Sequence, residues 1–233
     1  MEMSIIVPLY NEEKRSSAFL KELIRFRNSH LKDCEIVFVN DGSTDKTLDL
    51  IRSLTGKEEK TKIISYRKNR GKGAAVREGV FGSQGEKIIF IDADGSIPTD
   101  QIPEMVRNLD VYDAVVGTRY LERTQVEQPA YRHFTGTIFN LYVNLLFSLD
   151  IHDTLCGFKG FKEDVARDLF RDLMSNRWTF DVEIFYKIRK KRYKLHQLPI
   201  KWVHKNGSKI GMFGPLKIAF ELLGLRMKVK HQK

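Results

Sequence analysis

Cysteine is scarce: Cys34 and Cys156 are the two in 233 residues, too few for a disulfide framework and with no partners at metal-ligand spacing. No signal peptide precedes the first predicted strand, so a reducing cytoplasm is the expected compartment. No uninterrupted apolar run reaches the roughly 18 residues that a spanning helix needs, and the chain is not expected to cross a membrane. The usual glycine signatures of nucleotide binding are missing as well. The first predicted turn reads Pro8-Leu9-Tyr10-Asn11-Glu12 where a dinucleotide-binding domain would place Gly-x-Gly-x-x-Gly. Gly71-Lys72 is followed by Gly73 rather than by the Ser or Thr of a Walker A loop. Internal repeats, low-complexity tracts and linkers are also lacking, and a single domain over residues 1–233 is expected.

With 42% hydrophobic and 30% charged residues the chain is ordinarily globular, which excludes disorder and collagen-like repeats. Forty Lys+Arg against thirty Asp+Glu give a net charge of +10, favouring anionic partners: nucleic acid, phosphorylated metabolites or an acidic membrane surface. Neither a groove-binding helix nor an aromatic RNA-binding strand motif is present, so nucleic acid is not the expected one.

Ile88-Ile89-Phe90-Ile91-Asp92-Ala93-Asp94-Gly95-Ser96 is the stretch the chain is organised around. Four apolar residues read as a buried central strand, and two carboxylates follow at its C-terminal end, where ligands bind in open α/β sheets. Alternate positions of an extended segment point the same way, so Asp92 and Asp94, with Ser96 next in line, can reach one hard cation such as Mg²⁺ or Mn²⁺. A polar turn closed by Gly95 is the competing reading.

Around it, strands and helices alternate, implying a mostly parallel sheet with helices on both faces. Strands are read at Ser4–Leu9, Glu35–Asn40 and Ile63–Tyr66. Ser43, Thr44 and Asp45 are available to cap a helix running through Leu54. Asn69-Arg70-Gly71-Lys72-Gly73 opens the next helix, and Asp113–Arg119 is a strand with a basic end. Phe134–Leu149 is a helix apolar almost all round, with Asn140, Asn144 and Ser148 as a thin polar stripe; it is either core or interfacial. Asp153–Phe161 reads as a turn-rich segment, and Arg177–Glu183 leads into a helix to about Lys191, where Asp181 and Glu183 suit a helix start. Leu195–Val203 reads as one final strand. A terminal helix from Pro215 has Leu216, Ala219, Phe220, Leu223 and Met227 on one face and Arg226, Lys228, Lys230 and Lys233 at its end.

Taken in order, Ile6-Val7-Pro8-Leu9-Tyr10-Asn11-Glu12, Val39-Asn40-Asp41-Gly42-Ser43-Thr44-Asp45, Asn69-Arg70-Gly71-Lys72-Gly73 and Asp92-Ala93-Asp94-Gly95 resemble the family 2 glycosyltransferases of GT-A fold, over nearly the whole chain. Gly117-Thr118-Arg119, Asp153-Thr154-Leu155-Cys156-Gly157-Phe158-Lys159, Arg177-Trp178-Thr179-Phe180-Asp181-Val182-Glu183 and Asn206-Gly207-Ser208-Lys209 look like the polyprenyl-phosphate sugar transferases, and the Arg-Trp-x-Phe-Asp-Val-Glu string is closer to the dolichyl-phosphate glucose synthases than to the mannose enzymes. Met174 stands where processive synthases carry the glutamine of Gln-x-x-Arg-Trp. The eukaryotic glucose enzymes have an N-terminal anchor not found here, so the expected enzyme is peripheral, on the cytoplasmic face of the membrane.

The resemblance implies a GT-A α/β fold with C-terminal amphipathic helices, residues 1–120 forming a nucleotide-sugar-binding half and 121–233 an acceptor-binding half with interfacial helices at 134–149 and 215–229. It implies inverting transfer of a hexose, glucose first, from UDP-glucose to a polyprenyl or dolichyl phosphate, with Mg²⁺ or Mn²⁺. Pro8, Tyr10, Asn11, Glu12 and Asp41 would line the nucleotide pocket, with Asp41 accepting from base or ribose, and Gly71, Lys72 and Ala93 near the nucleotide. Asp92 and Asp94, with Ser96, would hold the metal. Arg119 and Arg132 would clamp the acceptor phosphate, Lys209 would sit over the donor diphosphate, and Asp153 would position acceptor or sugar. Other readings stay open: a GDP-mannose-dependent synthase, a transferase with a soluble hydroxyl acceptor, and an inactive binding protein. A hydroxyl acceptor would need a carboxylate base, Asp153 first and Glu183 second.

Overall fold

The computed structural model of the protein describes residues 1–56, 58–120, 125–127, 130–203, 205 and 214–231. The first elements are β1 (Met3–Leu9), α1 (Ser17–His30), β2 (Cys34–Asp41), α2 (Thr47–Thr55), β3 (Thr61–Tyr66), α3 (Lys72–Gly82), β4 (Lys87–Ile91), α4 (Ile102–Leu109) and β5 (Ala114–Thr118). After them come β6 (Gln125–Glu127), α5 (Ala130–Phe147), β7 (Phe158–Lys162), α6 (Glu163–Arg171), α7 (Phe180–Lys191), β8 (Leu195–Pro199), β9 (Lys201–Val203) and α8 (Gly214–His231).

Seven strands form the main sheet in the order β3-β2-β1-β4-β7-β5-β8. All pairings are parallel except those of β7, which runs antiparallel to β4 and β5. The hydrophobic run of β4 explains its central place. Ile88 and Phe90 face one apolar layer with Val80, Phe170 and Phe180, while Ile89 and Ile91 face the other with Leu20, Met105 and Leu198. A strand buried on both faces needs apolar residues at every position, not at alternate ones. The chain turns from one side of the sheet to the other between β1 and β4, so the C-terminal ends of β1, β2 and β4 frame the crevice where open α/β sheets bind ligands.

Two segments depart from the expected elements. Asp153–Phe161 is not all turn: Phe158–Lys162 is an interior strand of the sheet. Its Phe-Lys-Gly-Phe-Lys sequence lacks an apolar run because Lys159 is fully buried and paired, its Nζ 2.6 Å from Asp181 Oδ1. Leu195–Val203 is two strands, not one. Pro199 closes β8 in the main sheet, Ile200 donates to the Thr118 carbonyl, and β9 pairs with β6 in a separate two-stranded ribbon.

The two apolar helices are core on one side and exposed on another. In α5, Val143 and Phe147 are buried, whereas Ile138, Leu141 and Leu145 face solvent. In α8, the packed face is Ile218, Leu222, Leu225 and Val229, whereas Phe220, Leu223 and Met227, read from the sequence as sharing one face, point outward. The helices meet where the Tyr142 hydroxyl donates to the Ala219 carbonyl at 3.2 Å. No helix among the described residues is long and apolar enough to cross a membrane.

Candidate active site

A cavity of about 490 Å³ opens at the strand ends. The end of β1 and its following turn contribute Pro8, Tyr10 and Glu12, β2 contributes Asp41, and the turn opening α3 contributes Gly71 and Lys72. The turn after β4 adds Asp92, Ala93, Asp94 and Ser96, and Arg119 follows β5. Ten of the expected donor-side and metal residues thus converge with Arg119 on one wall. Asn11 and Asp153 are not on it. Lys209 and the side chain of Arg132 lie outside the described residues.

Asn11 braces the turn behind the wall. It has φ 48, its amide donates to Ser43 Oγ, and its Oδ1 accepts from Thr44 N at 2.8 Å. The same junction is tied by Glu12 N to Thr47 Oγ1, and Asp45 Oδ1 accepts from Thr47 N, although the N-cap position of α2 is Lys46 and carries no side-chain cap. Asp41, expected to face base or ribose, already serves the glycine-rich turn. Its Oδ2 accepts from Asn69 Nδ2 at 2.8 Å and Gly71 N at 2.9 Å, and Oδ1 from Arg70 N at 2.8 Å. The Tyr66 hydroxyl also bears on Asp41, and burial together with that carboxylate raises its pKa. Gly71, at φ 103, is required twice: L side chains avoid that conformation, and a Cβ would collide with the Asn176 carbonyl. The 175–177 segment covers the start of α3, whose Ala74 N donates to Asn176 O, so this helix end is packed rather than open to an anion.

Asp92 and Asp94 reach the cavity by a turn, not by strand alternation. The strand ends at Ile91, Gly95 takes φ 69, and Asp94 Oδ1 accepts from Ser96 N at 2.9 Å. Asp92 Oδ1 is 2.6 Å from Lys72 Nζ, and Asp94 Oδ2 is 3.8 Å from Arg15 Nη2. Gly157 packs so tightly under Asp92 that a Cβ there would collide with the carboxylate, and its carbonyl accepts from Asp92 N at 3.0 Å. Burial works against a charge on Lys72, but Asp92, Asp181 and Asp94 outweigh it and raise its pKa. The side chains fit a hard divalent ion. Two carboxylates line one wall, and the buried Ser96 Oγ beside them has no hydrogen-bond partner among the described residues. No group of three or more His, Cys, Asp or Glu stands in metal-binding array among the described residues.

Arg119, also on the cavity lining, is fixed by Asp153. Nε donates to Oδ2 at 2.6 Å, Nη2 to Oδ1 at 2.9 Å, and the Arg119 amide to Oδ2 at 3.1 Å. Asp153 is 1% exposed, so it orients Arg119 and does not reach a substrate as base or positioning group. Burial disfavours the guanidinium charge, and Asp153 overcomes this and raises its pKa. The guanidinium also lies over the rings of Trp202 at 5.3 Å and Tyr120 at 5.7 Å. Glu183 is excluded as a base for a similar reason. It is fully buried, takes Met174 N and Ser175 N, and pairs with Lys187 at 2.9 Å. Burial pushes the Cys156 thiol, on the cavity wall, up to about 12, so it is no nucleophile at neutral pH.

The wall also carries Arg15, Arg177, Trp178, Trp202 and Lys205, none assigned a role from sequence. Arg177-Trp178 had a signal, a basic residue beside an aromatic one ahead of a helix. Trp202 had none, since its three-residue strand gives no periodicity to read.

A family model described as glycosyl transferase family 2 matches residues 4–170. The dolichyl-phosphate beta-glucosyltransferase of Mus musculus is 33% identical over 244 residues, covering 97% of this chain and 75% of the relative. A dolichyl-phosphate beta-glucosyltransferase of Trichomonas vaginalis is 32% identical over 233 residues, covering 94% and 69%. The crystal structure of Mycobacterium tuberculosis glucosyl-3-phosphoglycerate synthase with Mn²⁺, UDP and phosphoglyceric acid superposes with a TM-score of 0.73 at 17% identity, covering 97% of this chain and 78% of that one. Another crystal structure of that enzyme holds Mg²⁺ and UDP, with a TM-score of 0.71. At such identity the likeness shows the fold, and it is the GT-A arrangement expected from the sequence.

Proposed function

The chain belongs to glycosyl transferase family 2, and from that premise we propose that it moves glucose from UDP-glucose to dolichyl phosphate or a similar polyprenyl phosphate, inverting the anomeric carbon. The observation that carries this reading is that two carboxylates, Asp92 and Asp94, and a fixed cation, Arg119, line one cavity.

The donor would lie along the ends of β1, β2 and β4, with Asp41 toward its nucleoside and Lys72 near its diphosphate. Asp92 and Asp94, with Ser96, would hold Mg²⁺ or Mn²⁺. Bound there, the ion would offset the negative charge that a departing nucleoside diphosphate develops. Arg119 presents a planar pair of donors suited to phosphate, and Asp153 spares it the entropy of finding its orientation. A phosphate acceptor is already anionic and attacks C1 without a strong base. A hydroxyl acceptor would need one, and the burial of Asp153 and Glu183 speaks against that alternative. Arg132 and Lys209 remain proposed phosphate ligands on the strength of the sequence. Residues 1–120 would then be the donor half and 121–233 the acceptor half.

The outward side chains Ile138, Leu141 and Leu145 of α5 and Phe220, Leu223 and Met227 of α8 support docking on a bilayer surface, where a polyprenyl acceptor resides. With Arg226 and Lys228 nearby in sequence and a net charge of +10, an anionic leaflet is the favoured surface.

The test is transfer of radiolabelled sugar from UDP-glucose and, in parallel, GDP-mannose into an organic-extractable polyprenyl phosphate, with Mn²⁺ or Mg²⁺ and then with EDTA. Labelling from UDP-glucose that EDTA abolishes is the expected result. Labelling from GDP-mannose alone would reassign the donor, and no lipid labelling while UDP still binds would sink the lipid acceptor.

A further inference from the structure

Beneath the cavity floor, carboxylates and cations alternate. Asp92 meets Lys72 at 2.6 Å, and Asp181, 1% exposed, meets Lys159 at 2.6 Å. Lys159 is committed: wholly buried, it also donates to the Cys156 carbonyl at 2.6 Å. Arg15 stands near both Asp94 at 3.8 Å and Glu12 at 3.4 Å. Four carboxylates, Glu12, Asp92, Asp94 and Asp181, therefore share three cations, Arg15, Lys72 and Lys159, and Lys72 is the cation in contact with Asp92. A divalent ion drawing on Asp92 competes with Lys72, because Asp92 Oδ1 is already taken by its ammonium group.

Of these cations, Lys72 is built to move. Its Nζ lies 5.9 Å from the Phe90 ring centroid and 5.7 Å from that of Trp178, faces that attract a cation without fixing its direction. Asp181 acts on its charge as well as Asp92 does. A lysine is a point charge on a flexible stem, so it can trade one anion for another.

Resting on the donor-site reading above, we propose that Lys72 is the resident counter-cation of Asp92, which it yields to the divalent ion and leaves for the donor diphosphate, so that metal and nucleotide are taken up cooperatively. Metal alone then binds against a like charge. Nucleotide relieves this by giving Lys72 a new anion, and by linkage each ligand strengthens the other equally.

The test is titration of the purified chain with Mn²⁺, following free Mn²⁺ by electron paramagnetic resonance, with and without UDP. Wild type is expected to bind Mn²⁺ weakly alone and more tightly with UDP. Lys72→Met, which keeps the stem and drops the charge, is expected to bind Mn²⁺ alone about tenfold more tightly and to lose a similar factor of the UDP enhancement. Lys72→Arg, which keeps the charge, is expected to bind Mn²⁺ alone as weakly as wild type. Unchanged or weaker Mn²⁺ binding in a folded Lys72→Met protein overturns the proposal while leaving the donor site standing, whereas no Mn²⁺ binding by wild type even with UDP overturns both. Should Lys72→Met fail to fold, amine labelling of wild-type Lys72 read by mass spectrometry decides. Saturating Mn²⁺ without nucleotide is expected to raise the labelling severalfold and UDP to suppress it, and labelling indifferent to Mn²⁺ overturns the proposal.

Discussion

Up to residue 120, the groups on the cavity wall are presented by strand ends and held by turns close to them. Asp41 ties residues 69–71, and Asn11 ties residues 43 and 44. Beyond residue 120 the described polar residues mostly brace from behind. Gly157 leaves room for Asp92, Asp153 aims Arg119, Lys159 neutralises Asp181, and Glu183 gathers the backbone of residues 174 and 175. The first region displays most of the chemistry, and the second, besides adding Arg177, Trp178, Trp202 and Lys205 to the wall, fixes the directions in which it points. A site divided this way should fail through residues that never touch a substrate.

Gly157→Ala is the sharpest attempt to break that division. A single methyl group in the second region would drive the Asp92 carboxylate out of its place in the first. Misplacement of about 1 Å at a reacting centre costs on the order of a hundredfold in rate, so transfer should fall at least that far while the protein still melts cooperatively. Activity within about threefold of wild type would show that Asp92 tolerates movement and that the bracing is incidental.

Asp153→Asn comes next. It keeps the shape and removes the charge from a nearly buried pair with Arg119. Breaking such a pair costs about 3 kcal/mol where the remaining charge is left uncompensated, and somewhat less here because Arg119 keeps partial exposure and its aromatic neighbours. The KM for the phosphate acceptor should rise about tenfold with a smaller change in kcat. A collapse in kcat together with loss of the lower limb of the pH–rate profile would make Asp153 a base after all and erase the distinction between display and support.

This division also explains what could be read in the sequence. Strand, turn and carboxylate recur in register through Asp41 and Asp92, and buried parallel strands announce themselves as apolar runs, so the sheet and most of the wall were legible. The antiparallel strand β7 was not, because a buried lysine interrupts its pattern and the partner that neutralises it, Asp181, lies 22 residues on. Asp181 and Glu183 read as ordinary helix-start acids, and only the fold reveals that both are wholly enclosed. Asp153 looked like a working group for the opposite reason: its salt bridge is 34 residues away in sequence. Turn chemistry is local and can be read, whereas charge pairing across the sheet cannot.

Asn140→Ala tests the bracing one step further back. The polar stripe of α5, which looked like the wet edge of an otherwise apolar helix, is a clasp on the loop that carries Asp153. Asn140 donates to His152 O at 2.7 Å and accepts from Thr154 N and Thr154 Oγ1, and Asn144 does the same for residue 151. Truncation leaves buried groups unpaired at a cost of about 1–2 kcal/mol. Transfer should drop severalfold, through the same rise in acceptor KM as Asp153→Asn but smaller. A variant that loses stability without that shift in KM would detach the clasp from Arg119.

The smallest effect on the catalytic centre is expected from Leu145→Glu, on the same helix but its opposite side. Leu145 is 81% exposed, so the substitution should change stability by no more than about 0.5 kcal/mol. UDP binding should be unaltered, since no group on the wall depends on this position. What should change is flotation with vesicles containing anionic lipid, because a carboxylate here both removes apolar contact and meets like charge. Transfer to a water-soluble short-chain acceptor should persist while transfer to acceptor embedded in vesicles falls. Asn140 and Leu145 would then separate the two duties of α5, holding the loop behind Arg119 on one face and meeting the bilayer on the other. Equal loss with both acceptors would mean that the outward face reaches the site through the helix itself, and that the brace and the docking surface work as one.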